Sequence, residues 1–338
     1  MHASGVRKIA VGSAAVIVLV LCVFFVLRPT HPPVTTAPGF RTIVINEAIR
    51  TPLYLPLYHA VERGYFREAG LEPKIVTGGT ATASFAAMLS GEADFAQADP
   101  MYVPISREKG GRTKVVAQVV GRIALWGVAR DPSIPDMTGT TLRGKKIATQ
   151  PRPMSAYTYT ITLLSQLNLQ PDTDVEIISG TPGTEIAALL QGQADFMVST
   201  EPLVSQAESA GAHVVLSFPT LLGDRAFSGL MAREDFIRSN RALVISTVRA
   251  YQKALTDIHA DRESAFASAR KYFPQMSDAV LKAAVERLTN EEVFPRSILV
   301  SEQSWFSATA ARIAVGDLNA SVPLEEACDL SIMRDADK

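Results

Sequence analysis

Two cysteines in 338 residues leave little to staple a fold. Cys22 lies inside a long apolar run and Cys328 near the C-terminus, so a bridge between them is excluded by position, and no other pair exists. The five histidines, His2, His31, His59, His213 and His259, are scattered, and neither they nor the cysteines show metal-ligand spacing. An excess of one charge is also missing. Lys plus Arg total 33 against 34 for Asp plus Glu, a formal net of −1. That balance gives no electrostatic support to nucleic-acid binding. There is no G-x-S-x-G elbow, H-E-x-x-H, Walker loop or G-x-G-x-x-G fingerprint. These absences agree with a chain that binds rather than transforms, and no cofactor is expected. What is present is a globular composition, 47% hydrophobic and 20% charged, at a length suited to about two domains.

The chain repeats itself about a hundred residues apart. FAAMLSGEADF, residues 85–95, returns as IAALLQGQADF, residues 186–196, with seven of eleven positions identical. Each copy follows a Gly/Thr turn and precedes an acid-Pro pair, Asp99-Pro100 and Glu201-Pro202. The separation is too long for a solenoid, whose units run to roughly 20–50 residues. It reads as two α/β lobes of one plan, and a cleft between lobes is where a small ligand binds.

The N-terminus departs from the rest. Residues 9–27 are nineteen consecutive uncharged residues rich in Val, Leu and Phe, long enough to span a hydrocarbon core. Arg7 and Lys8 precede them, which predicts a cytoplasmic N-terminus and an exported remainder. An uncleaved transmembrane anchor is expected in preference to a cleaved signal peptide, with secretion as the result of cleavage. Residues 28–39, rich in Pro and Thr, read as a tether. Segments 1–39 therefore form anchor and tether, segments 40–129 and 228–338 a first lobe, and segment 130–227 a second.

Within the lobes, alternating β-branched runs separated by helical patterns argue parallel strands with crossover helices. Strands are expected at 41–48, 71–77 and 93–97, as a pair around Gly121 within 113–129, then at 145–149, 174–179, 194–199 and 213–217. After Gly229 the pattern turns helical, at 239–272, 277–289 and 301–315, and the acidic last twenty residues are expected to be loosely held.

Ligands in open α/β sheets bind beyond the carboxyl ends of the strands. That rule selects Arg50, Thr51 and Tyr54, then Gly79 and Thr80, then Gln97 and Asp99 in the first lobe. In the second it selects Arg152, Ser155 and Tyr157, then Glu201. Arg50 and Arg152 each follow the first strand of their lobe and either hold an acidic group by paired donors or stand solvated on loops. Gly79-Thr80 opens a helix, as an anion cradle or as a turn with a cap. Thr51 and Ser155 offer a hydroxyl from each lobe. Asp99 and Glu201 either take an amine or ring N–H, or cap the helices behind them. Tyr54, Tyr102, Trp126 and Tyr157 either stack on a flat ligand or pack.

LYLPLYHAVERGYFREAGLEPKIV with GGTATASFAAMLSGEADFAQADP, and then LRGKKIATQPRPMSAYTYTITLLSQLNLQPDTDVEII with ALLQGQADFMVSTEPLVSQAE, resemble the two lobes of ABC-transporter solute-binding proteins for sulfonates, nitrate, taurine and thiamine precursors. The resemblance spans about residues 41–224. It implies a periplasmic binding protein-like type II fold, with hinges near 129–131 and 217–229 that close on ligand. It also implies an extracytoplasmic monomer, held to the membrane by residues 9–27, that feeds a permease and its ATPase. The implied ligand is a small organic anion or zwitterion, with a thiamine-precursor pyrimidine second. An enzyme on the same fold, or a tethered sensor, remains the alternative. Pro151-Arg152-Pro153 stands where many members carry a Gly/Ser-rich turn, which puts Arg152 forward. The Cys-rich motif of the pyrimidine-making relatives is absent.

Overall fold

The computed structural model describes residues 39–338. The expected anchor at 9–27 and most of the tether lie outside the described residues. Among those described, no helix is long and apolar enough to cross a membrane.

Ten strands carry the architecture: β1 Arg41–Glu47, β2 Leu71–Thr77, β3 Phe95–Ala98, β4 Thr113–Arg122, β5 Trp126–Ala129, β6 Lys146–Thr149, β7 Glu176–Ser179, β8 Phe196–Ser199, β9 His213–Ser217 and β10 Asp224–Arg233. They form two five-stranded sheets, ordered β2-β1-β3-β10-β4 and β7-β6-β8-β5-β9. The two orders superpose term by term, so the repeat in the sequence is a repeat of architecture.

The duplicated ADF segment shows why. Each copy ends a helix, Ala81–Ser90 or Glu185–Leu190, on a glycine turn with positive φ, Gly91 at +85° and Gly192 at +73°, where a side chain would be strained. Each then sends an aspartate back to the neighbouring parallel strand of its sheet, β1 or β6. Asp94 accepts the Val44 amide at 2.8 Å, and Asp195 accepts the Lys146 amide at 2.9 Å. Phe95 and Phe196, next in line, are fully buried.

The expectation of all-parallel sheets needs correction. β1, β2 and β3 are mutually parallel, as are β6, β7 and β8, but β10 and β5 lie antiparallel to both neighbours. Each of these two strands follows directly on a passage from one sheet to the other, so it enters its sheet reversed. The first passage occupies residues 123–125, ahead of Trp126, whereas the sequence placed the hinge at 129–131 and counted Trp126–Ala129 with the first lobe. The return lies between Ser217 and Asp224, inside the expected window.

The C-terminal helices hold the first sheet. Arg241–Ala260 buries Val244, Val248, Tyr251, Leu255 and Ile258 along one stripe, the spacing of a face turned to a core. The single helix expected over 239–272 is two, because Asp261 caps a second one, Arg262–Tyr272, by accepting the Ser264 amide at 3.0 Å. The tail is not loose. Asp329 caps the helix Leu330–Asp337, and Ile332, Met333 and Ala336 are buried beneath it.

Candidate functional site

Where the carboxyl ends of the two sheets meet, a cavity of about 80 Å³ opens. One water needs roughly 10–15 Å³, so the space suits a small solute. Its walls are mostly apolar, with Ile49, Leu53, Leu125 and Phe227 beside the rings of Tyr54 and Tyr102. Tyr54 is buried, and burial pushes its phenol well above the ordinary range, with a smaller opposing pull from Ser228. Its hydroxyl therefore stays protonated and can donate. Thr200 also lines the space, and its hydroxyl is buried without a protein partner.

Three separate segments meet in one polar cluster. Asp99 lies just past β3, Ser155 opens the helix Ser155–Gln166, and Arg312 lies near the end of the helix Glu302–Ala314. The Ser155 hydroxyl donates to Asp99 Oδ2 at 2.7 Å. Arg312 Nη2 donates to the same carboxylate oxygen and to Ser155 Oγ, the latter at 3.1 Å. Arg312 Nη1 reaches the Pro153 carbonyl at 2.7 Å, Thr158 Oγ1 at 2.8 Å and Asp317 Oδ2 at 3.1 Å. The side chain of Arg312 is only 3% exposed. Burial opposes its charge, but Asp99 and Asp317 more than offset this and hold its pKa above the ordinary value. Asp99 is fixed from the other side too, since its Oδ1 accepts the Met101 amide at 2.9 Å.

The family model described as "NMT1/THI5 like" matches residues 51–265. The chain belongs to this family. It is 22% identical over 293 residues to "Putative binding protein YtlA" of Bacillus subtilis (strain 168), covering 84% of this chain and 86% of that one. The fold is that of the periplasmic aliphatic sulphonate binding protein SsuA of Escherichia coli, with a TM-score of 0.70 at 18% identity over 87% of this chain and 99% of that one. It is also that of the desulfurization enzyme DSZB, with a TM-score of 0.64 at 15% identity over 88% and 98%. The family match stops short of Arg312, so that side chain of this NMT1/THI5-like protein is supplied from beyond the matched segment.

Of the residues the sequence selected, Tyr54, Asp99, Tyr102 and Ser155 line the cavity. The others stand elsewhere, each for a visible reason. Arg50 bonds the buried Glu47 at 2.8 Å and lies over the rings of Tyr58 and Tyr272. Arg152 is half exposed and bonds Asp317 and the Val315 carbonyl, both at 2.7 Å. Gly79 has positive φ, and Thr80 caps the helix behind it by accepting the Ala83 amide at 3.1 Å. Gln97 is buried against Tyr251, whose hydroxyl donates to it at 2.5 Å. Thr51 donates to the Glu201 carbonyl at 2.9 Å. Tyr157 is half-buried and stands outside the cavity.

Glu201 is fully buried and salt-bridged to Arg287 at 2.7 Å, with Ser205 donating to it from both amide and hydroxyl. Burial pushes its carboxyl up, against the pull of Arg287 and Ser205. It clamps the end of β8 to the helix Asp278–Asn290 rather than facing a ligand.

Arg312 was missed. The signal for it was an arginine on the buried stripe Trp305, Ala308, Thr309 and Arg312 of its helix, since a charge on a core-facing stripe calls for buried partners.

Proposed function

We propose that this protein is an extracytoplasmic solute receptor whose ligand lies between its two sheets and which hands that ligand to an ABC importer. The observation that carries the reading is the cavity itself. It sits at the carboxyl ends of both sheets, and its polar cluster draws Asp99, Ser155 and Arg312 from three different segments. A ligand there touches every part whose relative position changes when the sheets close on each other, which is what couples binding to closure. The names of YtlA and SsuA support the same reading, as a binding protein and a sulphonate-binding protein. DSZB shares the fold and is an enzyme. In this chain, however, no described histidine or cysteine lines the cavity, and a fold alone does not carry an activity.

The ligand class is a small organic anion or zwitterion, sulfonate-like in size, with a pyrimidine-like heterocycle second. Arg312 and Ser155 supply donors for an acidic group, and Tyr54 with Tyr102 a flat apolar wall. Residues 9–27 hold the protein at the outer face of the membrane. The test is thermal unfolding of the full-length protein in mild detergent against sulfonates, nitrate, carboxylates and pyrimidines. A ligand at a hundred times Kd adds roughly 2.7 kcal/mol of stability. The expected result is a rise in Tm with one class that is lost in Arg312→Gln. Silence across the panel at millimolar concentration would overturn the reading.

A further inference from the structure

We infer that Asp99 is an internal counter-ion that sets the charge rule of the cavity: it occupies the place where a ligand's acidic group would meet Arg312 and Ser155, so the site admits solutes of zero net charge and rejects free small anions. This inference rests on the cavity being a solute site, and it narrows the ligand class given above to its zwitterionic and neutral members.

The contacts at Asp99 Oδ2 are those an anion would make. It takes a buried guanidinium and a hydroxyl at the first residue of a twelve-residue helix. Asp99 cannot swing aside freely, because its other oxygen holds the Met101 amide at 2.9 Å. The charges in and behind the cluster are Arg312 and Arg152 against Asp99 and Asp317, two of each sign, and they pair among themselves.

A free anion entering this cluster must share Arg312 with a fixed carboxylate in a poorly solvated space, where like charges repel strongly. A zwitterion avoids that cost. Its acidic group takes Arg312 and Ser155 while its ammonium takes Asp99, so neither buried protein charge is left unpaired. A neutral solute leaves the Asp99–Arg312 pair intact and uses the aromatic wall and the unpartnered Thr200 hydroxyl.

The experiment compares two probes that differ only in an ammonium group, ethanesulfonate and 2-aminoethanesulfonate, with inorganic sulfate as a third, at fixed ionic strength and neutral pH. Tm of the full-length protein is read for wild type, Asp99→Asn and Asp99→Ser, the last keeping a hydroxyl acceptor for the Met101 amide. In wild type, 2-aminoethanesulfonate should bind at least roughly tenfold more tightly than ethanesulfonate, and sulfate should do nothing. In either Asp99 variant the order should reverse, with ethanesulfonate and sulfate now raising Tm, and adding Arg312→Gln should abolish that response. Equal shifts from the two sulfonates in wild type, or no gain of anion response in a folded Asp99 variant, would overturn the inference. A variant that gains the anion response while wild type answers to no probe or panel compound would leave the counter-ion role standing and sink the solute-receptor reading instead.

Discussion

Replacing Arg287 by Ala strands a fully buried carboxylate. Glu201 has a side chain that is 0% exposed and bonds Arg287 Nε at 2.7 Å. Its remaining donors are the amide and hydroxyl of Ser205, at 3.1 and 2.9 Å. Removing one partner of a buried ion pair costs about 3–5 kcal/mol. The two surviving donors place Arg287→Ala near the lower end, at about 3 kcal/mol. The second pair that Arg287 makes, with the part-exposed Glu208, adds no more than about 1 kcal/mol.

The pH dependence gives the sharper test. Burial already raises the pKa of Glu201 above its ordinary value, and loss of the guanidinium raises it further. An acid with a raised folded pKa is easiest to bury when protonated, so its penalty is smallest at low pH and grows as pH climbs through the folded value. The stability difference between wild type and Arg287→Ala should therefore narrow from about pH 8 to about pH 5. Arg287→Ala combined with Glu201→Gln should recover most of the loss at the higher pH. Urea unfolding of the three variants at both pH values measures all of this. A loss below about 1 kcal/mol, the size of an exposed pair, or a loss that does not change with pH, would refute the assignment of Glu201 as a buried clamp.

Three further outcomes follow from the same contacts. His59 is buried with Nδ1 on Ser268 at 2.8 Å, and burial holds its pKa below the ordinary value against the pull of Asp257; the unfolded chain binds the proton more readily, so stability should fall as pH drops through about 6.5, and His59→Asn should flatten that part of a Tm–pH curve. Arg152→Ala removes a half-exposed contact to Asp317 and should cost less than about 1 kcal/mol without changing the response to ligand, which a titration with the same panel checks against Arg312→Gln. Asp94→Ala and Asp195→Ala each strand one strand amide and should each cost about 1–3 kcal/mol in urea unfolding while leaving the ligand response intact.

The two-lobe plan was readable because its signal is local and doubled. A helix, a glycine turn with positive φ and an aspartate reaching back to the first strand sit within eleven residues, twice. The antiparallel entry of β5 and β10 was not readable, because their composition suits either direction, and only the passages at 123–125 and 218–223 decide it. The site divided along the same line. Tyr54, Asp99 and Ser155 lie seven, one and six residues past the ends of β1, β3 and β6, on the connections that the strand-end rule picks out. Arg50 satisfied that rule equally well and was captured by Glu47, the last residue of β1, a partner that no loop-based argument considers. Arg312 enters from a helix more than two hundred residues after Asp99, and its contribution depends wholly on how that helix packs.

Asp99 and Glu201 both stand before the proline that follows the repeated strand, Glu201 one residue further from Phe196 than Asp99 is from Phe95, and they do different work; the extra residue and the longer side chain both separate them. The shorter aspartate uses one oxygen on the Met101 amide of its own turn, which leaves the other directed at Ser155 and Arg312 in the cavity. The longer glutamate reaches forward to Ser205 in the helix that follows it and sideways to Arg287, while its backbone carbonyl accepts from Thr51 beyond the end of β1. One copy therefore presents a charge to the solute space, and the other removes its charge from that space and spends it on holding the sheets together. On the proposed receptor reading both functions are needed, since a clamp built from the cavity-facing acid would compete with the ligand for the same guanidinium. Division of the duplicated acids keeps the contacts that fix the frame separate from the contacts a ligand must exchange.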